Sequence, residues 1–391
     1  MVAAGAVGRW TRYFAAASAV GTVALQVALL ADASVRAVAA VGLFGAVLPM
    51  VFGMAYLLVP SYVGRTLSAG WLPGVHFVAA CVGAVILASD ALVGLDGPIT
   101  AFGGVVWSVG IAVFVGTLLW TVAPALRAES RLNPGTVGQS SSATGLATAA
   151  IPVAVGYLLA GTAALLSTVT PLPALFGTGL PTVVHYYGVG FATLLVFALG
   201  ARLLAGFFRV APPGWLARAV LLSGVVAPGL LAPTLWRPPW FHVGAVLEAV
   251  AVLGYLALVG VVAVRTDRRR VGLYGVALGA AGGAVAVAVG LVLALGVDVG
   301  RPVAVHAALA LDAFLLTTIV GYAYQFFPVT SGQFAGATRR CALATILLLA
   351  GGAGVYALGA ALSLGSAEAV GATLALLGAV GYAYLLVHRV L

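Results

Sequence analysis

The stretch "VHAALALDAFLLTTIVGYAYQFFPVTSGQ" (residues 305–333) is almost uncharged, yet it keeps a histidine near its start and an aspartate six residues later. Its second half contains "GYAYQFFP" (321–328), which has a counterpart far upstream in "GMAYLLVP" (53–60), with Gly, Ala, Tyr and Pro at identical spacing. A second pair follows: "VGAVLEAVAVLGYLALV" (243–259) and "VGATLALLGAVGYAYLLV" (370–387) share Val-Gly-Ala, a Leu, Gly-Tyr and a later Leu. Both pairs fit a four-helix unit used three times, at about 1–126, 146–266 and 271–391. The middle unit matches least in its second helix, where only Gly200 aligns with Gly53 and Gly321.

Composition sets what such helices are. The chain is 63% hydrophobic and only 7% charged, whereas soluble domains carry about a quarter charged residues. That excludes an ordinary soluble domain and makes all 391 residues a single all-α integral membrane domain with the lipid bilayer as its partner. A hydrocarbon core needs roughly 20 apolar residues per helix. Breaks at charge, Pro and Gly clusters predict twelve transmembrane helices near 13–31, 36–59, 72–94, 99–124, 147–168, 181–207, 214–235, 241–265, 272–296, 302–328, 340–363 and 367–388. The runs are long and do not alternate, which excludes a closed barrel. Four is an even number, so all three units cross the membrane in the same sense, unlike inverted-repeat transporters. The natural assembly is a ring with pseudo-threefold symmetry and gaps between helices wide enough for a prosthetic group.

Arginine placement orients the chain. The eighteen basic residues are all arginine, and thirteen of them lie at the termini or in even-numbered connections; Arg36, Arg237 and Arg301 alone mark the odd-numbered ones. By the positive-inside rule both termini are cytoplasmic and the chain is a multi-pass protein of the cell membrane. The segment 127–145 is the longest polar stretch and reads as a cytoplasmic linker between the first two units. "ADAS" (31–34) resembles a cleavage site, but the apolar run before it exceeds a usual signal-peptide core, so the first span is read as retained. Basic residues sit at span ends rather than in a patch interleaved with aromatics, so no nucleic-acid partner is expected. Cys81 and Cys341 form no CxxC, and "GAAGG" in the ninth span lacks the Lys-Ser/Thr of a phosphate loop and reads as close helix packing.

Ionisable residues inside spans are costly and mark functional interiors. His306 lies fifteen residues before Gly321 and His185 fifteen before Gly200, so two units carry histidine at one register; the first has Val38 there. His242 opens the eighth span near the same membrane face. Two or three neutral imidazoles in one layer suit a haem iron or a copper ion, with His306 and His185 as cofactor ligands and His185 and His242 as metal ligands. The plainer alternative is an interfacial histidine bonded to a nearby loop. His76 starts the third span on the opposite face, and His388 is read as interfacial. Asp312 and Glu248, each six residues after a histidine, turn about 600° away from it and need partners on other helices, as members of a proton relay or as buried polar contacts. Arg202 either pairs with an acid or snorkels.

Together, twelve spans in three units, His306 ahead of "GYAYQFFP" and its partner "GMAYLLVP" resemble the catalytic subunit of the haem-copper oxidase superfamily, which includes the nitric oxide reductases. NnrS-like haem- and copper-containing membrane proteins are similar in size and span number. The resemblance implies haem b held at His306, copper at His185, a redox partner subunit, and a role in respiration, nitric oxide handling or haem/copper assembly. This chain departs from the family at several positions. Val38 replaces the second-span haem ligand, "HYYGV" (185–189) replaces His-Pro-Glu-Val-Tyr, the seventh span has no histidine, and Ala304 and Ala308 stand where a further histidine is expected. A degenerate relative holding at most one haem or metal is therefore expected. A cofactor-free transporter of a small solute or protons, or a non-catalytic partner subunit, is the alternative use of the same fold.

Overall fold

The computed structural model describes residues 8–132, 143–297 and 301–391, with side chains described outside 126–144. The expected linker at 127–145 falls largely outside the described residues. All regular structure among the described residues is helical, and twelve helices are long and apolar enough to cross a membrane. These are spans one to twelve: Arg9–Leu30, Val35–Tyr62, Leu72–Val93, Gly97–Ala125, Gly145–Val169, Leu180–Phe208, Gly214–Leu231, Trp240–Arg265, Val271–Ala294, Pro302–Ser331, Arg339–Leu362 and Gly365–Val390.

Local sequence explains many of their ends. Ser34 and Thr338 cap spans two and eleven, accepting hydrogen bonds from the Ala37 and Cys341 backbone amides at 3.2 Å each. Pro73, Pro181 and Pro302 fall in the first turns of spans three, six and ten, where no amide partner is lost. The shared proline of the motif acts at the far end. The α-helix of span ten stops at Phe326, just short of Pro328, while span two runs two residues past Pro60.

Burial separates the spans into two sets. In spans two, six and ten, 94%, 67% and 72% of the most apolar window is buried, against at most 56% in any other span. The other nine pack side by side in the order one, three, four, five, seven, eight, nine, eleven, twelve and back to one, forming a closed ring around these three. The ring's outer surface is apolar, with Val78, Val85, Phe102, Leu119, Leu222 and Leu377 exposed at mid-span. Trp71, Trp215 and Trp240 stand exposed at span ends, where the amphipathic indole suits a membrane interface.

Each inner span carries one stretch of π-helix: Val41–Val47 in span two, His185–Thr193 in span six and Leu309–Leu316 in span ten. All three stretches touch one another at the centre. Those of spans two and ten begin twelve residues before Gly53 and Gly321, whereas that of span six begins fifteen before Gly200.

Glycine permits the closest approaches, as the sequence suggested for span nine. A methyl at Gly321 would overlap the backbone of Gly272 and Val276 in span nine, and one at Gly21 would overlap the Gly45 carbonyl across spans one and two. Gly53 likewise faces span one, at Phe14. Gly200 instead faces Tyr322 and Tyr255, so the middle unit's glycine serves a different contact. Hydroxyls reinforce the first seam: Thr11 donates to the Gly53 carbonyl at 3.1 Å and Ser18 to the Ala46 carbonyl at 2.5 Å. Such bonds satisfy hydroxyls that apolar surroundings would leave orphaned, since the carbonyls they reach lie within a continuous helix.

Candidate functional site

His185 is the first residue of the span-six π stretch, and His306 sits three residues before that of span ten. Their equal distance from a glycine thus does not give them the same place relative to the π stretch. Both lie on inner spans whose π stretches meet at the centre, and the two rings stand within electrostatic range of each other. Each ring is held through one nitrogen. His185 Nδ1 lies 2.7 Å from the Pro181 carbonyl one turn back, and His306 Nδ1 lies 3.0 Å from the Ala286 carbonyl of span nine. A carbonyl only accepts, so Nδ1 carries the proton in both rings and Nε2 keeps the lone pair. A carbonyl on one ring nitrogen fixes the ring's direction and tautomer, as it does for imidazoles that bind metals through the other nitrogen. Gly290 leaves room beside the ring: a methyl there would stand 3.1 Å from His306 Cε1.

His242 is not tied to this pair. It is exposed, donates from Nε2 to the Ala294 carbonyl at 3.0 Å, and rests near Phe241. That is the interfacial role given above as the plainer alternative. No group of three or more His, Cys, Asp or Glu able to hold a metal ion occurs among the described residues.

The two acids take separate surroundings. Asp312 is 1% exposed and faces Gln26 of span one, itself fully buried. Neither side chain closes a hydrogen bond within 3.5 Å, so both carboxyl oxygens and both polar atoms of the amide stand unpartnered. Glu248 lies within electrostatic reach of Tyr157 in span five, and its Oε2 is also without a partner. Tyr157 in turn donates to the Val225 carbonyl at 2.6 Å and stacks on Tyr186, the neighbour of His185. The expected turn away from the histidines therefore holds for Asp312, which meets span one while His306 meets span nine. Arg202 pairs with neither acid. It donates to Thr148 at 2.7 Å and its guanidinium lies 4.0 Å from the centre of the Tyr62 ring.

Sequence reasoning set His76 aside, yet it is completely buried among spans one, two and four. Its Nδ1 is 3.1 Å from the Tyr56 hydroxyl, and Phe14, Phe52 and Phe114 surround the ring at 4.7–5.3 Å between centroids. With Tyr56 donating, the proton sits on Nε2, which has no conventional acceptor and points among ring faces. The counterpart of Tyr56 in the motif, Tyr324, makes the corresponding reach to span eleven, bonding Thr345 at 2.8 Å. Gln26 was missed as well. The signal was present in span one as Ser18, Thr22 and Gln26 at four-residue spacing.

Two apolar spaces adjoin these groups. Spans two, six and ten enclose a cavity of about 60 Å³ between Met50, Met54, Leu199, Ile319 and Tyr322. A groove of about 570 Å³ runs between spans nine, ten and eleven, with Val305 and Leu309 in its wall; His306 does not line it.

No family model matches the chain, and no curated protein matches it in sequence.

Proposed function

We propose that the chain is a degenerate relative of the haem-copper oxidase catalytic subunit, built of three parallel four-span units with both termini cytoplasmic. It would bind one haem or metal near the outer face of the cell membrane through His306 and His185, and serve respiration, nitric oxide handling or haem/copper assembly with a redox partner. The observation that carries this reading is the placement of two histidines on inner spans that meet, each fixed through Nδ1, with no partner for Nε2 among the described residues. The arrangement of the spans adds support: the second of every four is buried, carries a π stretch and meets its two counterparts.

The donor set fits the group. Two neutral imidazoles can occupy two positions on a haem iron, or contribute to a copper site. Such a centre supplies one-electron transfer. The chain's own part is to fix tautomer and ring direction through the Pro181 and Ala286 carbonyls, and to keep span nine small at Gly290. Reduction of oxygen or nitric oxide by this chain alone is not part of the reading, because that chemistry sets a haem iron against a second metal with its own imidazoles. Span seven offers none.

The test is an absorption spectrum and metal content of protein purified after haem-replete expression. A haem band that His306→Ala abolishes, with membrane insertion intact, supports the reading. Colourless protein that also lacks copper overturns it. A second reading, a cofactor-free proton or solute carrier, is favoured by one observation: the carboxyl of Asp312 is buried in an apolar span without a hydrogen-bond partner.

A further inference from the structure

Two polar side chains from opposite ends of the chain meet in apolar surroundings, Gln26 of span one and Asp312 of span ten. Four polar atoms are involved, and none has a hydrogen-bond partner. The cause is not a backbone defect, since the Thr317 hydroxyl satisfies the Asp312 carbonyl at 2.9 Å. Nor does a countercharge face the carboxyl. Span two between 37 and 55, span nine between 275 and 294, and span eleven between 342 and 355 contain no acid, base, histidine or tyrosine. Next to the π stretch, span two presents Gly42 at Leu311, and span nine presents Gly282 and Gly283 at Ala313 and Phe314. Span one has no titratable residue between 14 and 30, and of its polar side chains there Ser18 and Thr22 are bonded to the Ala46 and Ser18 carbonyls, which leaves Gln26. Span six contributes His185, Tyr186 and Tyr187; Tyr187 is committed to Thr162 and Trp107, at 2.9 and 3.1 Å. On its own span, His306 faces Ala286.

An ionised carboxylate without a cation is not sustainable in such a place. A neutral acid is, if its proton and lone pairs are met. Leu25 and Leu311, the chain neighbours of Gln26 and Asp312, meet over Gly42. The two polar side chains come within reach of each other without hydrogen-bond geometry, so polar atoms of both are left for a buried water to meet. Buried waters settle where two to four polar groups converge. We propose that Asp312 and Gln26 form a proton-binding site closed over an internal water, in the half of the membrane that holds His185 and His306. Asp312 is the acceptor and Gln26 its positioning partner. The site joins the first span to the tenth and stands whether or not the histidines hold a metal.

The experiment is infrared difference spectroscopy of the full chain in lipid nanodiscs across a pH step, in water and in deuterium oxide. The expected result is a protonated carboxyl stretch at neutral pH that bleaches reversibly as pH rises. It should be lost in Asp312→Asn and shifted, while still titrating, in Gln26→Leu. Gln26→Leu removes only the amide, so it carries the test if Asp312→Asn fails to insert. A carboxyl band unchanged by either substitution overturns the proposal. So does a band that responds to sodium and not to pH, which would make the site one for a metal cation. The same band read in His306→Ala separates this outcome from failure of the haem reading, because it needs no cofactor.

Discussion

At the scale of single residues, hydrogen-bond inventory decides what each histidine can do. His185 and His306 spend Nδ1 on carbonyls, whereas His242 spends Nε2. Asp312 points to span one, so Asp312→Asn should leave any haem spectrum of the protein unchanged while His306→Ala removes it. Two tyrosines at matching motif positions allow a sharper comparison. Tyr56→Phe strips His76, fully buried, of its only hydrogen bond, and should cost about 1–3 kcal/mol. Tyr324→Phe leaves Thr345 still donating to Ala342, so its cost should stay near 0.5–1.5 kcal/mol. Thermal unfolding of the two variants in one detergent checks the order; equal losses would refute it. The histidines were legible in the sequence because charge-bearing side chains stand out in apolar runs. Gln26 was not, since an uncharged amide in an Ala-rich helix attracts no notice until its partner is found 286 positions away. His76 was set apart from the other histidines by its position along span three, and its complete burial comes from the packing of spans one, two and four around it, which that position does not reveal.

At the scale of elements, span limits were open to reading, because proline, glycine and arginine clusters end apolar runs at nearly the observed places. The π stretches were not. "LALDAFLL" (309–316) has no proline or glycine, and the two glycines of "VGLFGAV" (41–47) are no different from those inside ordinary α-helices of this chain, so the form of both is set by what packs on them. Glycine has the same double character. Gly156, in span five, has open space where a side chain would go, and Gly321 has the backbone of span nine. Gly156→Ala should therefore be neutral or stabilising by up to about 1 kcal/mol, as expected for a mid-helix glycine replaced by alanine. Gly321→Val should cost at least about 1–3 kcal/mol, since overpacking here meets main chain rather than a movable side chain. Comparing the melting temperatures of purified variants tests both; a stable Gly321→Val protein would show that spans nine and ten are not held as close as described.

At the scale of the molecule, the connections sort onto two faces. On one, Arg301 bonds Glu368 at 3.0 Å and Asp32 at 3.3 Å, and Arg36 bonds Asp90 at 2.5 Å. On the other, Thr266 and Arg268 bond the Phe208 and Phe207 carbonyls, at 3.0 and 3.1 Å. In the orientation proposed from arginine bias, the first face is external. In a background where the native cysteines are replaced, Leu175→Cys should react with an impermeant maleimide from outside and Asp267→Cys only after the membrane is opened; the reverse would invert the topology and move the histidine pair to the cytoplasmic half. Arg301→Ala should cost no more than about 0.2–1 kcal/mol and less at high salt, because the bridge is largely exposed. The larger meaning of that bridge lies in when it forms. Span one packs against span twelve and its Gln26 against span ten, yet some 270 residues of synthesis separate Gln26 from span ten and more than 330 separate spans one and twelve. At roughly 5–20 residues per second, tens of seconds pass between the two events. Through that interval Gln26 lacks Asp312, so the newborn first spans must wait with a polar patch turned toward lipid or toward an insertion chaperone. A contact buried in the finished protein is thus exposed during birth, and damage to the late spans should be sensed through the first.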